Sequence, residues 1–512
     1  MQLENHFEKF RNNSIGYNQV FRTFYGNLRM IYADWTASGR LYRPIENIII
    51  NSFGPFVGNT HSESSETGML MTRAYHFAHQ RIKEHVNADK NDVIITAGSG
   101  MTEVLNKLQR ILGLKVHENL RPFVNIPQEL KPVVFITHME HHSNQISWLE
   151  TIAEVKIISP DKNGLIDLDN LEELLKEYSA RKFKIGSFTA CSNVTGIRTP
   201  YHKMAKLMHQ NGGICFVDFA TSAPYTPIDM HPADPEEKLD AIFFSPHKFL
   251  GGPGTSGVLI FDSRLYLNKI PDNPGGGTLD WTNPWGEHKY SSEIEIREDG
   301  GTPGFLQAIK TSLCLELKDK MDVEKIIKRE KELIKILFNG LNSIDGLHIL
   351  AENIRDRLGI LSFYVENIHY NLLVKILNDR FGIQSRGGCS CAGTYGHYLL
   401  NVDRRTSCQI TNLIDSGDLS QKPGWVRLSI HSIMTDEEVH YIVYAIKETV
   451  KNIGKWKEDY IYDTRSNEFK NRHFLGHDNI VKEWFKIVES ETLHHVDPNR
   501  FLGTYNKGVV FM

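Results

Sequence analysis

Cysteine is scarce in this 512-residue chain. Its six cysteines are too few for a disulfide scaffold, so a reducing, cytoplasmic setting is expected. An excess of one charge is missing as well. Lysine and arginine total 58 against 62 aspartates and glutamates, a formal net charge of −4. No basic block or polybasic arm of the kind that binds nucleic acid or a membrane surface occurs. No apolar run approaches the roughly 20 residues that cross a bilayer. The opening segment MQLENHFEKFRNNS is charged where a signal peptide would be apolar. Internal repeats and low-complexity tracts are also absent. What remains is a globular enzyme-like chain, longer than one typical domain and able to bury a large core.

From about residue 90 to 320 short β-rich runs alternate with helical stretches. DVIIT (92–96), VVFITHM (133–139), ICFVDFA (214–220), AIFFS (241–245) and GVLIF (257–261) are nearly continuous apolar runs, as strands covered on both faces require. TEVLNKLQRILG and HKMAKLMHQNGG between them read as helices that end at glycine. The pattern predicts βαβ units and a mostly parallel sheet. After about 320 a long charged helix, DVEKIIKREKELIKILFNGLNSI, leads into a smaller α+β unit. The resulting division is an N-terminal arm (1–30), a large α/β domain (31–320), a small α+β domain (321–454) and a C-terminal extension (455–512). The extension is polar and aromatic-rich, with a last helix expected near 479–490.

The chemistry concentrates around FFSPHKFLGGPGTSGVLIF, where Lys248 closes an apolar run beside a loop with four glycines in seven positions. A lysine there loses hydration, which lowers its pKa toward the free amine, a nucleophile suited to Schiff-base formation with an aldehyde. The plainer reading is a strand-ending lysine that snorkels to water. Other strand ends decide between them, because ligands in open α/β sheets gather at the carboxyl ends of strands. ITAGSGMTEVLN is a strand, a glycine turn and a helix start, where backbone N–H groups and the Thr102 hydroxyl suit a phosphate. THMEHHSNQISW brings His141 and His142, TACSNVTGIRTP brings Asn193, and CFVDFATSAPY ends on Asp218. A phosphate cradle, a histidine, a strand-end carboxylate and a strand-end lysine are what pyridoxal phosphate requires, the carboxylate keeping the pyridine nitrogen protonated. A nucleotide site would explain the glycines but leave Lys248 and Asp218 idle. A metal is not expected, because no zinc-like ligand spacing accompanies His138, His141 and His142.

The combination MEHHSN, SNVTG, VDFA, SPHK, GGTPG and RGGCSCAG resembles the class V aminotransferase family of pyridoxal-phosphate fold-type I enzymes, on its cysteine desulfurase and selenocysteine lyase branch. The likeness runs from IYADWTASGR (31–40) to DEEVHYIVYAI (436–446). It implies that Lys248 carries the cofactor, His141 stacks on its ring, and Asp218 pairs with the ring nitrogen. It implies phosphate contacts from Thr102, Ser245 and His247, and from Thr302 of GGTPG to the other subunit of a homodimer. Arg427 matches the arginine that binds a substrate carboxylate, with Asn193 near cofactor and substrate. Counted from Arg386, Cys391 falls where desulfurases keep their catalytic thiol. The implied reaction converts L-cysteine to L-alanine with a persulfide on Cys391, for delivery to a sulfur-acceptor protein. The alternatives are a transaminase or another lyase with incidental cysteines, and a catalytically silent scaffold. Two departures stand out. Thr221 replaces a glutamine usual in relatives, and Cys389-Ser390-Cys391 replaces a loop with histidines before its cysteine. Cys191, Cys215, Cys314 and Cys408 sit in apolar or strand-like surroundings and are expected to be buried and inert.

Overall fold

The computed structural model describes residues 2–60, 62–473, 476 and 478–485. Seven strands form one sheet: β1 (Asp92–Ala97), β2 (Val133–Thr137), β3 (Glu154–Ile158), β4 (Lys184–Thr189), β5 (Ile214–Asp218), β6 (Ala241–Phe244) and β7 (Gly257–Asp262). Their spatial order is β1-β7-β6-β5-β4-β2-β3. The pairs among β2 to β6 are parallel, whereas β7 runs antiparallel to both β1 and β6. That reversal has a local cause. Helices return the chain after β2, β3 and β4, and a long link (219–240) returns it after β5, but the shorter link from β6 to β7 (245–256) holds only the turn Pro246–Lys248 and the glycine loop, so the chain folds straight back. β2, β6 and β7 are buried at every position, as their continuous apolar runs predict, and so is β4, whose run KIGSFT is not continuously apolar.

Helices cover the sheet. In α1 (Met101–Ile111) Val104, Leu105, Leu108 and Ile111 make one buried stripe, and the chain leaves the helix through Gly113 at φ +70. α2 (His142–Leu149) and α3 (Tyr201–Gln210) follow β2 and β4. Glycine at 113 and 212 supplies the left-handed exits that the sequence marks as helix ends.

The chain beyond α4 (Phe305–Met321) opens with α5 (Val323–Leu341), capped by the Asp322 side chain on Lys325 N. Its sheet is antiparallel: β8 (Leu347–Ile349), β9 (Ile360–Val365), β10 (Arg386–Gly388) and β11 (Trp425–Ser429), in order β8-β9-β11-β10. α6 (Tyr370–Phe381), α7 (Arg404–Asp415) and α8 (Asp436–Trp456) complete it, α8 opening on a capping box of Thr435 and Glu438. The early segment Ile31–Tyr32 pairs with Ile383–Gln384, and Asp34 bridges to Ser429. The start of the chain is thereby brought against the small sheet.

Within the C-terminal extension a hairpin forms, β12 (Tyr460–Asp463) and β13 (Glu468–Asn471). Tyr460 and Phe469 pack with Leu372 and Ile376 of α6. Of the helix expected near 479–490, Asp478–Trp484 is helical, and residues 486–490 lie outside the described residues. Among the described residues no helix is long and apolar enough to cross a membrane.

Candidate active site

The carboxyl ends of β2, β4, β5 and β6 face a cleft of about 250 Å³, closed on one side by Thr36, Arg386 and Arg427. Thr102, His141, Asn193, Asp218, Ser245, His247, Lys248, Cys391 and Arg427, which lie as much as 325 positions apart in the sequence, all line this one cleft. Thr221 lines it too. Thr302 does not. It is exposed outside the cleft of its own chain, its hydroxyl donating to Asn59 Oδ1 at 3.3 Å.

Asp218 and Lys248 form the floor. Asp218 is the last residue of β5 and 4 % exposed, its Oδ1 accepting from Ala220 N at 2.8 Å. Burial pushes its carboxyl up to about 6, against the pull of that N–H and of Lys248. Lys248 ends the turn that follows β6. Burial lowers its ammonium to about 8; Asp218 opposes the shift and Arg427 reinforces it. A lysine poised there is half free amine near neutral-to-alkaline pH, the state a nucleophile needs.

A residue that the sequence reading passed over supports this floor. Glu140 is 1 % exposed and accepts hydrogen bonds from Thr137 N, Thr137 Oγ1, Asn144 Nδ2 and Thr189 N. It ties the end of β2 to the end of β4 beneath the cleft. Burial raises its carboxyl to about 8, against the pull of the Thr137, Asn144 and Thr189 donors. Its only signal in the sequence is its place inside MEHHSN.

The turn into α1 makes a cradle. Gly98 is left-handed at φ +57, and Ser245 Oγ accepts from Met101 N at 2.8 Å. A side chain at Gly100 would come within 2.9 Å of Ser245 Oγ, so glycine keeps the cradle open. Thr102 and Ser143 share a hydroxyl contact of 2.7 Å at its rim, and His247 stands beside it. His141 caps α2, its Nδ1 accepting from Ser143 N at 3.1 Å. Burial, then the charge of Lys248, lowers its imidazolium to about 3, leaving a neutral flat ring.

The small sheet supplies the opposite wall. Arg427, 3 % exposed, donates from Nη1 to Asn193 O at 3.1 Å and from Nη2 to Asp34 Oδ1 at 2.8 Å. Arg386 lies directly across the ladder from Arg427, and its Nε donates to Asp34 Oδ2 at 3.1 Å. Two arginines side by side need a counter-charge, and Asp34 provides it. Sequence reasoning missed Asp34, because its partners lie more than 350 positions away.

The thiol loop follows β10. Ser390 and Cys391 are both left-handed, at φ 51 and 57, a costly backbone for two successive side-chain-bearing residues. The loop is pinned by Asn193 Nδ2 to Ser390 O (2.7 Å), His142 N to Cys391 O (2.7 Å) and Gly393 N to His142 Nε2 (2.8 Å). Cys391 is exposed at the cleft, while Cys389 is partly buried against the main core. Cys191, Cys215 and Cys314 are buried, and burial pushes all three thiols up. Cys408 departs from the expectation: it is exposed, because α7, on which it sits, buries none of its residues.

The aminotransferase class-V family profile matches residues 31–442. A cysteine desulfurase of Haloferax volcanii is 25 % identical over 370 residues, 71 % of this chain and 80 % of that protein. A probable cysteine desulfurase of Staphylococcus epidermidis is 29 % identical over 432 residues, 83 % of this chain and 92 % of that one. Among solved structures, the apo cysteine desulfurase of Thermococcus onnurineus superposes with a TM-score of 0.69 at 22 % identity, covering 87 % of this chain and 98 % of its own. A cysteine desulfurase of Escherichia coli gives 0.65 at 23 %, covering 82 % and 94 %. The fold is thus pyridoxal-phosphate fold type I, and the match extends over most of the chain. The chain belongs to the class-V aminotransferase family.

Proposed function

We propose that this protein is a pyridoxal-phosphate-dependent cysteine desulfurase, converting L-cysteine to L-alanine and keeping the sulfur as a persulfide on Cys391. The observation that carries the reading is a thiol on a pinned loop facing the same cleft as a half-buried lysine and a buried guanidinium. The names of the relatives point the same way.

The residues present fit the cofactor. Asn193 Oδ1 is buried without a hydrogen-bond partner and lines the cleft, where a ring hydroxyl could donate to it. The glycine cradle leaves room for phosphate oxygens beside Thr102, Ser245 and His247. In this reading those three hold the phosphate, Asp218 holds the ring nitrogen, His141 covers the ring and Lys248 holds the aldehyde carbon. When bound, the cofactor supplies an electron sink for negative charge developing at the substrate Cα.

Arg427 holds the substrate carboxylate and so aims the Cα proton at the cleft floor. Lys248 Nζ, a free amine above about pH 8, takes that proton and can return it. Cys391 Sγ attacks the substrate sulfur, a new S–S bond forms, and the substrate Cβ–S bond breaks. A proton delivered to Cβ completes alanine, and the persulfide stays on Cys391. A thiol at the cleft mouth can then pass the sulfur to an acceptor protein in a reducing cytoplasm. Exposed Thr302, outside its own cleft, suits a contact with the phosphate site of a second subunit in a homodimer.

Replacing Cys391 by Ser tests the reading. The variant should keep the bound cofactor's visible spectrum and its response to L-cysteine, yet form no alanine under reducing conditions. Wild-type protein that moves an amino group to a keto acid but never releases alanine from cysteine would establish the transaminase alternative instead. Colourless wild-type protein would leave the silent scaffold.

A further inference from the structure

The wall that faces the proposed substrate carries an unusual charge arrangement. Arg386 and Arg427 sit directly opposite each other on β10 and β11. Asp34 spans both, with Oδ1 on Arg427 Nη2 at 2.8 Å and Oδ2 on Arg386 Nε and Nη2 at 3.1 Å. These three groups sum to one net positive charge. Arg427 Nη1 is already engaged by Asn193 O at 3.1 Å, which leaves its Nε buried and unpartnered.

A second buried donor stands without a partner in the same cleft. Thr36, 2 % exposed, lines the cleft, and its Oγ1 has no hydrogen-bond partner. Its backbone N donates to Ser429 Oγ at 2.9 Å, two residues along β11 from Arg427 and therefore on the same face of that strand. Thr36 Oγ1 and Arg427 Nε are thus two unpartnered donors on residues that line one cleft. Buried donors without partners are costly, so a ligand that satisfies both is favoured.

We propose that Asp34 restricts this subsite to one negative charge, with Thr36 as a second carboxylate ligand, so that the cleft selects amino acids with one carboxylate over those carrying a second anionic group. A second anion placed beside Arg386 meets the Asp34 carboxylate as a like charge. The inference deepens the proposed function, on which it rests, by naming the residue that sets the preference for a substrate with one anionic group.

The test uses the holoenzyme and two sulfur-free ligands, L-alanine and L-aspartate, with binding followed by calorimetry and by the visible spectrum. Because neither ligand carries sulfur, selectivity is measured even if no alanine is ever released from cysteine, so the two readings fail separately. Wild-type protein should bind L-alanine at least about tenfold more tightly than L-aspartate. Asp34→Asn leaves two uncompensated arginines and should shift the ratio toward L-aspartate by about tenfold or more. Asp34→Asn combined with Arg386→Gln restores one net positive charge and should bring the ratio back to within about threefold of wild type. A residue that merely braces the wall would not be rescued by losing a second brace. Should Asp34→Asn not fold, Arg386→Gln alone leaves no net charge and should weaken both ligands, L-aspartate more. Thr36→Val should weaken both ligands by about the same factor, several-fold, with the ratio unchanged. Equal wild-type affinities, an unmoved ratio in Asp34→Asn or in Arg386→Gln, or no rescue in the double variant overturns the role of Asp34. Unchanged affinities in Thr36→Val overturn the role of Thr36.

Discussion

The two sides of the cleft are built in opposite ways. The floor rests on strand ends, where Asp218 and Ser245 are each 4 % exposed and the backbone positions are those the sheet itself dictates. Glu140 reinforces it from below with four hydrogen bonds. The thiol side is a loop beyond an edge strand, exposed at Cys391 and strained at two successive residues. The loop is held by the floor: two of its three pins come from His142, at the start of α2, and the third from Asn193. A group that stays with a cofactor belongs on a rigid element, whereas one that receives an atom inside the cleft and hands it on outside needs a position that can be released. Strain of about 1–3 kcal/mol per left-handed residue, offset by a few hydrogen bonds, is suited to that.

If the comparison is right, damage to the floor costs most. Lys248→Ala removes both the covalent hold on the cofactor and the base at Cα, and turnover should fall below detection. The variant should still fold, since its cavity opens into the cleft; circular dichroism and a steady-state assay check both. Retained turnover would place the amine elsewhere.

Asp218→Asn should cost less. Losing a charge-assisted hydrogen bond of about 1.5–3 kcal/mol gives roughly a 10- to 150-fold fall in kcat. The same variant sharpens the account of Lys248. In the apoprotein, site-specific modification of Lys248 by an aldehyde reagent should accelerate as pH rises through about 8, the value to which burial lowers it. Asp218 opposes that lowering, so Asp218→Asn should move the midpoint further down. The linked stability has the matching sign. Because the unfolded lysine holds its proton up to about 10.5 and the folded one only to about 8, the apoprotein gains stability from this group as pH rises between those values.

How much of this could be read beforehand follows from range in the chain. Each floor residue closes its own apolar run, so Asp218 and Lys248 were legible as strand-end candidates whose role only their combination could decide, and the mostly parallel sheet was legible from the alternation of runs. The antiparallel β7 depends on the length and content of one connection, which a strand pattern does not reveal. Asp34 acquires meaning only against Arg427, 393 positions away, and Glu140 only against donors on β2, α2 and β4. The β12–β13 hairpin buries one residue at each outer end, Tyr460 and Asn471. That is too weak an alternation to stand out in a polar tail.

On the thiol side effects should be smaller. His142→Ala removes the acceptor for Gly393 N (2.8 Å) but leaves the backbone pin to Cys391 O. A neutral hydrogen bond is worth about 0.5–1.5 kcal/mol, so alanine formation should slow by roughly 2- to 10-fold. Ligand binding on the Arg427 wall should be unchanged. Equal losses in binding and turnover would show that the imidazole supports the floor instead of the loop.

The smallest effect should come from furthest away, through the C-terminal hairpin. Asn467 sits at its turn and donates from Nδ2 to Tyr370 Oη at 2.7 Å, while its carbonyl accepts from Asn371 Nδ2 at 2.6 Å. Tyr370 Oη in turn donates to Lys422 O at 3.1 Å. These two residues of α6 press on the strands that carry the arginines and the thiol loop. A side chain at Gly387 would come within 2.1 Å of Asn371 Oδ1, and one at Gly424 within 2.6 Å of the Tyr370 ring. The hairpin therefore backs β10 through one layer of side chains. Tyr370→Phe keeps the ring packing and removes only the hydroxyl, at a cost of about 1 kcal/mol, which is a fall in Tm of about 1–2 °C for a protein of this size. Turnover should drop by no more than about threefold. The informative measurement is amide hydrogen exchange over residues 386–392, which should speed up while exchange in β5 and β6 stays as it was. If exchange rises only within α6 and the hairpin, the extension is a passenger on the small sheet, and the thiol loop depends on the floor alone.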